Sequence, residues 1–469
     1  MTFSLGDPTK GATPIVLTTR ARWPRTHAAL PAEARAFAGA VGFDPSPGAH
    51  VLLPDAKGAL AAVLFALDEQ DSARSDPFLL GRLASMLPWG RYRIEGEGVD
   101  RDLAALGFLL SSYKFARYRK SRSSEAILEI PRGPARARAE TIADAITLGR
   151  DLVNTPANDM GPGALEAAAL ALARRHGARA RVVRGEELIA ANFPLVHAVG
   201  KGAADAPRIV DFRWGGRRAG PRVTLVGKGV CFDTGGLDLK SDAAMLLMKK
   251  DMGGAATALA AAAMIMRADL PVRLRVILPI VENSVSANSF RPGDIYRSRA
   301  GLTVEIGNTD AEGRLILADA LALADEDEPD LLFDFATLTG AARVALGPDL
   351  PAFFCNDDAL AKEIEIAGAA VADPVWRLPL WSPYDGLIES KAADLNNISS
   401  GSFAGAIVAA LFLQRFVSRS RAGWAHFDVY NWNPSAKPGR PEGGDIQAAR
   451  LVFELLQRRI AALALAGKK

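Results

Sequence analysis

Cysteine and histidine are scarce in this chain, and their scarcity closes off several kinds of site. Cys231 and Cys355 are the only cysteines among 469 residues. Two cysteines build neither a disulfide framework nor a cysteine-rich zinc site, and so few fit a reducing compartment. Cys231 has no histidine in its sequence neighbourhood to activate it, so it reads as a small buried thiol. The five histidines, His27, His50, His176, His197 and His426, include no helical metal-binding pair. His426 lies in the alternating stretch Trp424-Ala425-His426-Phe427-Asp428 and reads as a hydrogen-bonded core residue. No apolar run approaches the length of a membrane span; Leu259–Met266 is short and reads as a buried helix. The N-terminus lacks the charged start and apolar core of a signal peptide, so the cytoplasm is the expected compartment. Charge of one sign is lacking too. A net charge of +3 gives no reason to infer nucleic acid, and the basic run Tyr113–Arg122 reads as a solvated face.

What is present is the patterning of an ordinary α/β protein. The length allows two domains with a large buried core. Residues 1–134 mix short apolar runs with Pro/Gly turns, which predicts a smaller N-terminal α/β domain. Pro131-Arg132-Gly133-Pro134 breaks that pattern and marks a boundary. The stretch from about 135 to 152 carries a helical pattern and opens the larger domain, 135–469. Beyond Pro162, helix and strand patterns alternate. Ala164–His176 reads as a helix, Val223-Thr224-Leu225-Val226 as a strand, Ala255–Met266 as a helix, and Leu331–Phe335 as a strand. Such alternation predicts a mostly parallel sheet flanked by helices, with ligands bound beyond the carboxyl ends of its strands.

Two clusters carry chemistry. The first is Asn308-Thr309-Asp310-Ala311-Glu312-Gly313-Arg314-Leu315. Asp310, Glu312 and Arg314 sit at alternate positions, which in an extended segment point to one side. Gly313 allows a tight turn. Two adjacent carboxylates repel unless a cation lies between them, so a divalent metal fits here; a solvated acidic loop is the alternative. The second cluster is Gly227-Lys228-Gly229-Val230-Cys231-Phe232-Asp233-Thr234-Gly235-Gly236, with Lys240 and the block Met248-Lys249-Lys250-Asp251-Met252-Gly253-Gly254 following. Its lysines are either salt-bridge partners of the carboxylates or, for Lys228, an amine ligand. Burial beside two dications favours the neutral amine.

These segments together resemble the leucyl (cytosol) aminopeptidases, a family of dizinc exopeptidases. The string Asn308–Leu315 is similar to the family's signature, and Lys228, Asp233, Lys240 and Asp251 follow its order and gaps. The likeness runs from about Arg150 to about Asp428 and fades over the first hundred residues.

The resemblance implies a metal-dependent aminopeptidase acting on short peptides through two divalent ions per chain, Zn²⁺ or Mn²⁺. Lys228, Asp233, Asp251 and Glu312 would hold one ion, and Asp233, Asp310 and Glu312 the other. Lys240 would be the electrophile, and Arg314 would hold a bicarbonate that acts as base. Met248 and the loop containing Thr337, Leu338 and Gly340 would receive the first side chain. The family also implies a homohexamer of two stacked trimers. A DNA-associated protein with a vestigial site is the competing reading, but such a site would be expected to have lost a ligand, and all five are present. One departure stands out. After Asp428 the family usually continues with isoleucine, alanine and glycine, whereas this chain reads Val429-Tyr430-Asn431 and differs on to Asp445. Preference among first residues is therefore expected to shift. The N-terminal region also looks shorter than usual.

Overall fold

The computed structural model describes residues 5–69, 75–119, 126–216, 220–417 and 423–466. Lys120, Ser121 and Arg122 of the basic run lie outside them. The chain divides into two compact units, Met1–Thr147 with Pro434–Glu442, and Leu148–Asn433 with Gly443–Lys469. No helix among the described residues is long and apolar enough to cross a membrane.

The N-terminal unit holds a six-stranded sheet ordered Leu5–Gly6, Ala126–Glu129, Gly90–Glu95, Thr13–Thr18, Leu60–Ala66, His50–Pro54. All neighbours are parallel except the edge strand His50–Pro54. Helix Arg101–Ser111 starts at Asp100, whose carboxylate accepts the backbone N–H groups of Asp102 and Leu103. That capping satisfies two donors the helix leaves unpaired. Residues 434–442 join this unit from far along the chain; Gly439 N–H donates to Ser111 Oγ at 2.8 Å.

The larger unit is built on a sheet whose centre is parallel: Trp424–Asp428, Leu331–Ala336, Arg222–Gly227 and Arg273–Asn283 lie side by side. Antiparallel strands flank it, Ala352–Cys355 on one side and Arg208–Trp214 then Arg179–Arg184 on the other. Alternation along the strands makes two different faces. Val226, Ile277, Leu332 and Trp424 pack with Leu315, Leu321, Val408 and Phe412 from helices Glu312–Asp325 and Gly405–Gln414. Phe333, Phe335, Phe353 and Phe427 group their rings on the opposite face. Helix Gly253–Arg267 covers that face closely. A Cβ on Gly254 would lie 2.1 Å from the Phe335 carbonyl oxygen, so only glycine admits this approach.

Within the first face sits a fully buried polar set. His426 Nδ1 lies 2.5 Å from Asp334 Oδ1, and Trp424 Nε1 donates to Asp334 Oδ2 at 2.8 Å. Burial opposes charge on His426, but Asp334 outweighs it and raises the imidazole pKa above its ordinary value. Stability from this pair is thus present below the ordinary histidine range and lost as pH rises through the native value. Asp334→Ala removes the partner of both rings. It is expected to destabilise this unit by about 3 kcal/mol, as breaking a buried charge pair does. Calorimetry would show an unchanged transition if the pair contributed nothing.

Candidate metal centre

The carboxyl ends of the central strands gather the candidate side chains. Lys228 follows directly on strand Arg222–Gly227, and Asp233 closes the short strand Gly229–Asp233. Asp251 lies in the 3₁₀ turn Met248–Met252, which leads into helix Gly253–Arg267. Glu312 is the first residue of helix Glu312–Asp325, and Asp310 precedes it. Carboxylate oxygens of Asp233, Asp310 and Glu312 all fall within 4.8 Å of one another. Lys228 Nζ lies 2.8 Å from Asp251 Oδ2 and 2.9 Å from Glu312 Oε1, and donates to the Thr337 carbonyl at 2.9 Å. Lys240 Nζ lies 2.9 Å from Asp233 Oδ2 and also pairs with Asp310.

This concentration of acid groups perturbs Glu312, Asp310, Asp251 and the two lysines. Burial, then the Asp233 charge, pushes the Glu312 carboxyl up to about 8 and that of Asp310 up to about 6. Burial also raises Asp251. For Lys228 burial opposes the charge, but Asp251, Glu312 and Asp233 outweigh it and raise its pKa. Lys240 is raised in the same way, chiefly by Asp233 and Asp310 against burial. Asp251 Oδ2 and both Glu312 oxygens are buried without a well-aligned hydrogen-bond donor; Lys228 faces Asp251 Oδ2 and Glu312 Oε1 as an ion pair. Buried carboxylate oxygens lacking donors are costly, and hard oxygen ligands of this kind suit divalent cations.

The acidic segment departs from the extended turn expected of it. Asp310 and Glu312 share the cluster, but Glu312 is already helical, because the segment turns at Ala311 into the helix. Gly313 is needed for space and not for a tight turn: a Cβ there would lie 2.6 Å from Lys228 Nζ. Arg314 points into protein, where Nη1 donates to the Asn397 carbonyl at 2.8 Å and Nε has no hydrogen-bond partner. Burial lowers its pKa to about 10, which leaves it charged at neutral pH. Thr337 is buried and donates from Oγ1 to Asp251 Oδ1 at 2.6 Å. Leu338 N–H donates to Asp428 Oδ1 at 3.1 Å, Gly340 opens helix Gly340–Leu346, and Met248 is half-buried at the head of its turn.

Several supports were not singled out from the sequence. Asn283 donates to Asp233 Oδ1 at 2.8 Å and to the Thr309 carbonyl at 3.1 Å, tying the two clusters together. Asn397 holds the acidic segment from ninety residues away, accepting Gly307 N–H at 2.7 Å and donating to the Asn308 carbonyl at 2.7 Å. No local pattern marks such a residue. Lys250 offered a signal, a second lysine beside Asp251. It is buried, burial lowers its pKa to about 8, and its ammonium lies 4.5 Å from the Tyr430 ring centre. Arg343 also lies 4.9 Å from that ring. Of the divergent segment, 434–442 belongs to the N-terminal unit, so Val429–Asn433 and Gly443–Asp445 are the parts that stay with the larger unit, and Tyr430 is the one that meets these residues.

Comparison with known proteins covers nearly the whole chain. Residues 147–452 match the family model for the catalytic domain of the cytosol aminopeptidase family. Residues 14–131 match that for the M17 aminopeptidase N-terminal domain, so likeness extends into the region where the sequence reading had it fade. The chain is 41% identical over 372 residues to the "Probable cytosol aminopeptidase" of Geobacter sp. (strain M21), covering 76% of this chain and 75% of that protein. The crystal structure of cytosol aminopeptidase from Coxiella burnetii superposes with a TM-score of 0.92 at 44% identity, covering 97% of this chain and 98% of that one. The bottromycin maturation enzyme BotP in complex with Mn gives a TM-score of 0.84 at 33% identity, covering 96% and 99%.

Proposed function

The chain belongs to the cytosol aminopeptidase family and is a metal-dependent aminopeptidase, and from that premise we propose that it releases the first residue of short peptides at a two-metal centre. Lys228, as the neutral amine left once a dication displaces its proton, would hold one divalent ion with Asp233, Asp251 and Glu312, and Asp233, Asp310 and Glu312 would hold the other. The carrying observation is the buried set of carboxylate oxygens on Asp251 and Glu312 that lack aligned donors. BotP, of the same fold, was solved with Mn, which supports a divalent ion; Zn²⁺ or Mn²⁺ suits this donor set. Two such ions supply Lewis acidity toward the scissile carbonyl and lower the pKa of water.

The chain's own residues supply the rest. Lys240, held protonated, donates to the oxyanion of the tetrahedral intermediate. Arg314 keeps its charge in a buried setting and has an unpaired Nε donor, which suits retention of a bicarbonate-type anion as proton acceptor. Met248, Thr337, Leu338 and Gly340 border the first side chain, and Tyr430 with Lys250 shifts the preference among first residues. The substrate's free amine completes the ligand sphere. Assembly as a homohexamer and residence in the cytoplasm are part of this proposal; light scattering at the hexamer mass would support the first.

Chelation is expected to abolish hydrolysis of leucine amide, and added Mn²⁺ or Zn²⁺ to restore it. No hydrolysis under any metal would sink the proposal. An N-acetylated peptide is expected to remain uncut under conditions where the free-amine peptide is consumed, read by chromatography. Efficient cleavage of the blocked peptide would exclude an exopeptidase mechanism that depends on the amine.

A further inference from the structure

The far end of the same sheet carries a second concentration of charge, of opposite sign. A cleft of about 460 Å³ there is lined by Arg179, Arg181, Arg213, Arg275 and Arg299. It is remote from the metal centre. Strand Arg273–Asn283 places Arg275 in this cleft and Asn283 against Asp233; at strand rise the eight steps from one to the other span roughly 26 Å.

Strand register makes the cleft unusual. Arg179 pairs directly with Arg213, and Arg213 with Arg275, across three antiparallel strands. Three arginines thus form one lateral row about 10 Å wide. Like charges directly opposite one another destabilise a sheet unless they are answered. Acids answer only some of them. Arg275 pairs with Asp211 and Asp327, Arg213 shares Asp327, and Arg299 pairs with Glu326. Five arginines against Asp211, Asp327 and Glu326 leave a surplus of two positive charges. Arg179 and Arg181 are exposed and form no ion pair among the described residues; Asp211, opposite Arg181 in register, is engaged by Arg275. The floor is apolar: Phe193, Ile209 and Leu323 line it, and the Arg299 guanidinium lies 4.7 Å from the Phe193 ring centre.

We propose that this cleft is a second ligand site, for a small organic diphosphate of nucleotide size. Guanidinium forks match phosphate oxygens bidentately, and the exposed Arg179, Arg181 and Arg213 can engage two linked phosphates, while Arg275 stays buried in its pairs with Asp211 and Asp327. The apolar floor and the Phe193–Arg299 stack would receive the flat organic part. The volume lies within the range of ordinary small-molecule sites.

The test is calorimetric titration of the metal-loaded, full-length enzyme with ADP, with pyrophosphate and adenosine as separate probes. ADP is expected to bind, pyrophosphate more weakly, and adenosine not measurably. The double variant Arg179→Gln/Arg181→Gln is expected to weaken ADP at least about tenfold, as loss of charge-assisted hydrogen bonds does, and to leave leucine amide hydrolysis unchanged. An ADP-dependent rise in melting temperature is expected in the wild type and absent in the variant. Equal ADP affinity in both proteins would place the diphosphate elsewhere, at the metals or Arg314, and overturn the proposal. So would no binding up to millimolar ADP. Pyrophosphate binding as tightly as ADP would also overturn it, because the apolar floor would then contribute nothing.

Discussion

Glu312→Ala is expected to abolish peptide hydrolysis and to lower bound divalent metal below two ions per chain. Glu312 is assigned to both ions, so its loss strips a ligand from each. The side chain is buried and both of its oxygens lack aligned donors, so no hydrogen-bond network stands to be lost in its place. Changes behind a metal ligand commonly cost about 10- to 100-fold, and removal of a shared ligand should exceed that. Glu312→Gln tests the same point with the volume kept. It should also fail, since an amide cannot balance the charge of two dications. Elemental analysis beside a circular dichroism check of folding separates the outcomes. Full occupancy in a folded Glu312→Gln protein would show that this residue is no ligand. Asp310→Ala should follow the same course, with a smaller loss of metal because Asp310 is partly exposed and assigned to one ion only.

Most of the fold was legible because its cues are local. The run Val223-Thr224-Leu225-Val226 falls within strand Arg222–Gly227, and the patterns at 164–176 and 255–266 fall on helices Pro162–Arg175 and Gly253–Arg267. The candidate site was legible for a different reason: a metal centre must concentrate carboxylates and lysines at strand ends, and short motifs carry them. What escaped the reading acts at long range. Asn397 and Asn283 hold the acidic segment through backbone and amide hydrogen bonds that no nearby residue announces. Glu312 was read in an extended turn because alternation of Asp310, Glu312 and Arg314 mimics a strand; the helix begins at Glu312 itself, and Arg314 is turned toward Asn397. Gly313 drew attention as a turn residue, yet its bare Cα makes room for Lys228 across the site. The departure of 434–442 into the other unit was equally hidden, since its proline- and glycine-rich text reads as an ordinary loop.

Lys240→Ala should separate catalysis from metal binding. The ammonium lies beside Asp233 and Asp310, and those charges keep it protonated against its burial. The same two carboxylates are assigned to the ions, and the one amine ligand is assigned to Lys228, so the Lys240 amine is not needed to complete either ligand set. Its proposed task arises only as negative charge develops on the carbonyl oxygen. An interaction made only in the transition state lowers kcat and kcat/KM together. Loss of one oxyanion donor costs about 100- to 1000-fold. The variant is therefore expected to bind two ions per chain, to keep its KM for leucine amide, and to lose rate by that factor. Lys240→Arg should recover part of it, because a guanidinium restores charge but not the compact geometry of an ammonium. The decisive measurement is metal content beside steady-state kinetics. Metal loss as large as in Glu312→Ala would make Lys240 a structural counter-charge of the cluster, and a raised KM with unchanged kcat would make it a substrate-binding residue.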